Sequence, residues 1–206
     1  MYKGEYCGKN AQNILILGES HHGGEEGSYT TTDVIKAYLE NPAKIQYRFF
    51  DRIVETFGFS PDTDRKNFWN NVYFGNYIDE LCGVGDDAAK KVVSKKGNRE
   101  KLNRDLFDFI ISKGIDTIYC FSILSYNHLP SITKNEGREE KIPIGKNGSK
   151  NVLLRQCIYK KGVTFPHTNK ILKNDLIVYG IWHPSKKGGY PLDMFQKALQ
   201  GKITLK

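Results

Sequence analysis

The chain alternates short runs of consecutive apolar residues with longer stretches in which apolar residues recur every three to four positions. The apolar runs at residues 14–17, 117–121 and 176–181 predict buried strands. An aromatic and β-branched segment, residues 69–78, predicts another strand, and residues 152–161 predict a more exposed one. The helical spacing of apolar residues predicts the remaining elements, which are helices over residues 32–39, 47–57, 86–93, 99–113, 125–129 and 191–199.

Strands that alternate with helices predict an α/β fold with a mostly parallel sheet covered on both faces. We expect one domain over residues 1–206, because the chain has a suitable length and no internal repeat. The polar segment 131–150 is interpreted as a surface excursion. Thr32 or Asp33 is expected to cap the helix at residues 32–39, and Gly114 is expected to end the helix at residues 99–113.

Two of the buried strands are followed at once by small and polar residues. Residues 18–24 read Gly-Glu-Ser-His-His-Gly-Gly and are predicted to form a loop, and the strand at residues 176–181 leads into His183-Pro-Ser185. Ligands of α/β sheets bind beyond the carboxyl ends of the strands, so we expect these two segments to face one cleft.

Each polar residue near this cleft has a possible role and a structural alternative. Glu19 could orient a water molecule, and the amide of Asn76, at the end of the strand over residues 69–78, suits reading a nucleobase edge. His183 could point into the cleft, because Pro184 stiffens the chain after it. The structural alternative for Glu19, Asn76 and His183 is a place in an ordinary turn. Further candidates are Tyr29 as a stacking ring, His21 or His22 as donors to an anion, and Ser185, Lys186 and Lys187 as donors to a phosphate.

Composition adds bounds to this interpretation. The formal net charge is +8, from 31 Lys and Arg against 23 Asp and Glu, which fits either a polyanionic partner or a lysine-rich solvated surface. No apolar run suits a transmembrane helix or signal sequence, so we expect a cytoplasmic protein with no membrane partner. The four cysteines have no CxxC spacing, so no compact zinc or iron–sulfur motif is expected, and Cys120 and Cys157 are interpreted as buried thiols. His21, His22, Glu25 and Glu26 are possible metal ligands, but adjacent histidines in an extended chain point opposite ways, so no metal site is expected.

Taken in order, these motifs resemble the uracil-DNA glycosylase superfamily over residues 14–199, with His183-Pro-Ser185 as the closest match. The resemblance implies a three-layer α/β/α sandwich and an enzyme that hydrolyses the N-glycosidic bond of a damaged, uracil-like base in DNA, without a cofactor. Single- and double-stranded DNA both stay open as substrates, and a monomer is expected by default. It implies catalytic roles for Glu19, which activates water, and His183, which stabilises the departing base. The implied base-binding residues are Gly18, Ser20, Tyr29 and Asn76, and the implied DNA-phosphate contacts are Ser185, Lys186 and Lys187.

The chain also departs from this family. Ser20 and His21 stand where the best-known branch has Asp followed by Pro, and no apolar wedge follows Ser185. One alternative is an SGNH-type serine esterase with Ser20 as nucleophile, Asn76 as oxyanion donor and His183 as base, although Gly180 stands where that family has an orienting Asp. Another is a nucleic-acid-binding member of the glycosylase fold without catalytic activity.

Overall fold

The computed structural model describes residues 1–9, 12–22, 30–41, 48–82, 87–133, 136–145, 151–165, 168, 170–185 and 189–205. One sheet contains the strands of this part, which are β1 (Tyr2–Lys3), β2 (Ile14–His22), β3 (Tyr73–Cys82), β4 (Thr117–Cys120), β5 (Gly137–Pro143), β6 (Leu153–Tyr159) and β7 (Leu176–Gly180). The helices are α1 (Thr31–Glu40), α2 (Arg48–Thr56), α3 (Arg65–Asn70), α4 (Ala88–Ser94), α5 (Asn98–Lys113), α6 (Ile123–His128) and α7 (Leu192–Leu199).

The fold is α/β, with a seven-stranded mixed sheet in the order β1-β3-β2-β4-β7-β6-β5. The four neighbouring strands β3, β2, β4 and β7 run parallel, whereas β1, β6 and β5 pair antiparallel at the two sides. The prediction of a mostly parallel sheet is therefore too simple. The prediction also missed β5, because most of its residues are charged and give no apolar strand pattern. Charged residues are compatible with β5 because it is an exposed, antiparallel edge strand.

Helices cover both faces of the sheet, as predicted. Side chains of α1, α2, α3 and α7 pack in one core with Ile16 and Phe74. Side chains of α4, α5 and α6 pack in a second core with Leu15 and Leu17. The connection from β2 to β3 and the connection from β3 to β4 run in opposite directions across the sheet, so right-handed crossovers put their helices on opposite faces.

The first polar segment belongs to a strand and not to a loop. β2 continues through His22 and pairs in parallel with β3 as far as Cys82, with an irregularity between Ser20 and His21. The prediction of a loop over residues 18–24 is wrong for residues 18–22, because the long β3 supplies backbone partners that outweigh the polar character of this segment. The prediction that Asn76 ends its strand is also wrong, since Asn76 lies inside β3.

Several boundaries and caps differ from prediction for local reasons. Trp69 and Asn70 end α3 and are not in a strand. Thr30, and not Thr32 or Asp33, caps α1, because its hydroxyl accepts from the Asp33 N–H at 3.3 Å while the Asp33 carboxylate accepts from the Thr30 N–H at 3.0 Å. Gly114 ends α5 in the left-handed conformation, as predicted.

The structure gives the burial of the cysteines and the character of the described helices. Cys120 and Cys157 are buried free thiols, as predicted, and Cys7 and Cys82 are buried as well. None of the helices in the described ranges combines the length and apolar character needed to cross a membrane.

Candidate functional site

The parallel strands bring the candidate residues to one edge of the sheet. The register pairs Gly18 of β2 with Asn76 of β3, and it pairs Cys120 of β4 with both Leu17 of β2 and Gly180 of β7. The carboxyl ends of β4 and β7 therefore lie level with Leu17, and β2 continues beyond them to His22. Since the chain leaves β2 and β4 toward opposite faces, the space between them is a topological switch point, where α/β proteins bind ligands.

Gly18 and Asn76 form a close contact across β2 and β3. A Cβ atom at position 18 would overlap Asn76 Oδ1, and this added Cβ atom would lie 3.7 Å from the Phe74 ring. The Asn76 side chain thus occupies the space that a larger residue at position 18 would need. Asn76 is only 7% exposed. This contact gives Gly18 a steric role, in place of the turn predicted for it.

The Glu19 side chain is held by Ser122, which lies two residues after the end of β4. The Ser122 hydroxyl donates a hydrogen bond of 2.6 Å to Glu19 Oε2. Ser122 is also the N-cap of α6, since its Oγ accepts from the Ser125 N–H at 3.1 Å. The half-buried carboxylate is thereby fixed across the switch point between β2 and β4.

The Glu19 carboxylate lies beside a deeply buried thiol. Burial raises the pKa of the Cys120 thiol to about 12, and the nearby Glu19 carboxylate adds to this rise. The Cys120 thiol instead donates a hydrogen bond to the Ser122 carbonyl oxygen at 3.3 Å. The thiol next to Glu19 is therefore protonated at neutral pH and is not a nucleophile.

His183 has a defined ring orientation. Its Nδ1 accepts a hydrogen bond of 3.2 Å from the Ser185 backbone N–H, so the neutral ring carries its proton on Nε2. The Phe49 ring of α2 packs against the imidazole, with ring centroids 5.1 Å apart and planes at 32°. His183 is half-buried.

The two residues predicted to catalyse share an edge but not a face. Side chains alternate along a strand, so Glu19 lies on the face of Leu17, toward α6. Asn76 shares the face of Phe74, and His183 packs on α2 on that same face. β4 lies between β2 and β7, so the two strands run about 10 Å apart.

Ser20 contacts β3 through Cys82. Burial raises the pKa of the Cys82 thiol, and a hydrogen bond from the Ser20 side chain opposes that rise. Cys82 is the last residue of β3, on the side of β2 remote from β7. β4 thus lies between β2, which carries Ser20, and β7, which leads to His183.

The remaining candidates stand as follows. Ser185 is exposed and holds His183 through its backbone N–H. Tyr29, Lys186 and Lys187 lie outside the described residues, as do the side chains of His21 and His22.

A separate cavity of about 450 Å³ lies between α6, the segment after it and the β5–β6 hairpin. Its walls include the Tyr126 and Tyr159 rings, the Cys157 thiol and Glu139. None of the predicted site residues in the described ranges lines this space, which distinguishes it from the switch-point edge.

Sequence reasoning missed two residues that shape the site. Ser122 is a serine at the start of a helical segment, and the N-cap preference for serine was a signal for it. Phe49 belongs to the apolar pattern that predicts the helix over residues 47–57. No pattern along the chain indicates that its ring meets His183, because that contact depends on how α2 packs beside the end of β7.

Neither a scan against protein-family models nor a search of curated proteins gave a match for this chain. In the part of the chain that the structure describes, no group of three or more His, Cys, Asp and Glu side chains is arranged to hold a metal ion.

Proposed function

We propose that this protein is a DNA N-glycosylase with a uracil-DNA glycosylase-like fold, which hydrolyses the bond between deoxyribose and a damaged, uracil-like base. The fold is compatible with this proposal, because four neighbouring parallel strands lie between two layers of helices. The net charge of +8 favours association with a polyanion such as DNA.

The observation that carries the proposal is the orientation of His183. When a glycosidic bond breaks, the electron pair goes to the base, and an oxygen of a uracil-like base becomes negatively charged. Because Nδ1 accepts from the Ser185 N–H, the proton of the neutral ring is on Nε2, and we assign this N–H as the donor to the base oxygen. A fixed donor stabilises the charge that develops in the transition state without reorganising during the reaction.

Glu19 supplies the second element of the mechanism from the other face of the sheet. The proposal therefore requires a nucleotide that lies across the carboxyl edge of the sheet, with its base on the side of His183 and its sugar on the side of Glu19. The sugar becomes an oxocarbenium-like cation as the C1′–N bond breaks, and a carboxylate fixed by Ser122 stabilises that positive charge. Water then attacks C1′, its proton passes to Glu19 and on to solvent, and the base leaves as an anion that solvent protonates. The products are the free base and an abasic site.

Asn76 is assigned to recognition of the base. Its amide lies on the same face of the sheet as His183 and is largely buried beside Gly18. An amide offers a donor and an acceptor on one plane, which matches the edge of a flipped pyrimidine.

The esterase alternative receives less support. A Ser–His pair must lie within hydrogen-bond reach. The side chain of Ser20 bonds with Cys82, and β4 separates the strands that lead to Ser20 and His183.

The test uses labelled oligonucleotides that contain uracil, hypoxanthine, xanthine or an alkylated base, followed by alkali to cleave abasic sites. We expect the wild type to act on at least one of them. His183→Gln should slow excision by about 100-fold or more, because an oriented donor is lost. The matched control is His128→Gln, since His128 bonds the Leu124 carbonyl within its own helix and should leave the rate unchanged. No abasic product with any substrate would favour the non-catalytic binding protein.

A further inference from the structure

The segment that carries His183 contacts α2, a helix from a distant part of the chain. The Phe49 ring packs on the imidazole, with ring centroids 5.1 Å apart. The Arg52 guanidinium donates a hydrogen bond to the Pro184 carbonyl oxygen. The Thr56 hydroxyl and the Tyr190 hydroxyl form a hydrogen bond of 2.9 Å.

These three residues form one stripe on α2. Phe49, Arg52 and Thr56 are spaced at i, i+3 and i+7, so their side chains lie on the same side of the helix. The stripe contacts the His183 segment before residues 186–188, at Pro184, and after them, at Tyr190.

The opposite side of α2 is fixed to the neighbouring helices. The Tyr38 hydroxyl of α1 donates a hydrogen bond of 2.6 Å to Asp51 Oδ1. Arg65 of α3 lies over the Tyr38 ring, 5.1 Å from its centroid, and its Nε is 4.0 Å from Asp51. α2 therefore has a fixed position against which the His183 segment is held.

We infer that α2 is the element that orients His183, with Phe49 and Arg52 as positioning residues for the excision reaction. The inference rests on the proposed function, since it assigns these residues to the same histidine. Phe49 sets the plane of the imidazole, and Arg52 fixes the carbonyl of the next residue. The Nε2–H then points in a direction that the end of β7 alone does not determine.

The first measurement is the single-turnover excision rate, with the Kd for the same uracil-containing oligonucleotide measured separately. We expect Arg52→Gln to slow excision by about tenfold with an almost unchanged Kd, because a small displacement of a catalytic group costs rate and not binding. Arg48→Gln is the matched control. It removes the same charge from an exposed position of the same helix, so the excision rate should stay at the wild-type value.

Phe49 is tested with a conservative pair. Phe49→Leu should slow excision by about tenfold, whereas Phe49→Tyr retains the ring face and should keep the wild-type rate. Equal losses in the two variants would contradict a role for the ring.

A double-mutant comparison separates positioning from an independent role. In a His183→Ala background, Arg52→Gln should have no further effect on the excision rate, because the group that it positions is gone. If Arg52→Gln slows excision by the same factor in both backgrounds, Arg52 acts on its own and the inference is wrong.

The NMR spectrum of the histidine rings tests the inference without any activity. The ring signals of His183, assigned with His183→Gln, should shift or broaden in Arg52→Gln and Phe49→Leu and stay in place in Arg48→Gln and Phe49→Tyr. Unmoved signals in Arg52→Gln and Phe49→Leu would overturn the inference even if the enzyme is active. A wild type with no activity but with the expected spectral changes would refute the proposed function alone.

Discussion

At the scale of single residues, the site depends on contacts that leave little room for substitution. The Asn76 side chain leaves no space for a Cβ atom at Gly18. The Ser122 hydroxyl fixes the Glu19 carboxylate, and the Ser185 backbone N–H fixes the ring orientation of His183. The sequence predicted Gly18, Glu19, Asn76 and His183 as site residues. It did not predict which side chain each of them contacts, because Gly18 and Glu19 contact residues that are far away in the sequence.

Gly18→Ala provides a residue-scale test of this packing. A methyl group at position 18 would overlap Asn76 Oδ1, so we expect the free energy of unfolding to fall by about 1–3 kcal/mol, as measured by urea unfolding. Gly75→Ala is the matched control on β3. Its Cβ would meet only the flexible side chain of Met1, which can move aside. Similar losses in the two variants would show that the Asn76 contact is not the cause.

At the scale of elements, the pattern of apolar residues predicted most helices but misplaced the polar ends of the strands. Helices such as α5 have an apolar stripe and a clear glycine stop, which local sequence determines. The extension of β2 through His22 depends on pairing with β3, and β5 depends on pairing with β6. Pairing between distant segments leaves no local signal, so a polar strand looks like a loop. For the same reason, the contact between α2 and the His183 segment could not be predicted.

Ser122→Ala tests the junction between β4 and α6. The substitution removes both the N-cap bond to the Ser125 N–H and the bond to Glu19, so the free energy of unfolding should fall by about 1–2 kcal/mol. Ser122→Thr keeps the hydroxyl and should retain most of the stability. Wild-type stability in the alanine variant, measured by chemical denaturation, would mean that neither bond contributes.

At the scale of the whole molecule, the two cores contain many ionisable groups that are buried in their neutral form. Burial raises the pKa of the Cys7 and Cys157 thiols to about 11 and that of Cys120 to about 12. Burial also raises the pKa of several tyrosines above the ordinary value of 10, and these are Tyr38, Tyr77, Tyr119, Tyr126, Tyr159 and Tyr190.

These raised pKa values predict a loss of stability in alkali. Above about pH 9 the unfolded chain releases protons from its thiols and then its tyrosines, whereas the folded chain retains them. The unfolded state then binds fewer protons, so the free energy of unfolding falls as the pH rises. Urea unfolding at pH 8, 9.5 and 10.5 should give steadily lower values. Constant stability over this range would contradict the buried, neutral state of these groups.

The most direct test of the proposed function is excision of a uracil-like base by the wild type, His183→Gln and Glu19→Gln, with His128→Gln as the control. The account predicts an abasic product with the wild type and with His128→Gln, and a rate at least about 100-fold lower in the other two variants. Wild-type rates in both the His183 and Glu19 variants, or no abasic product with any damaged base, would contradict it.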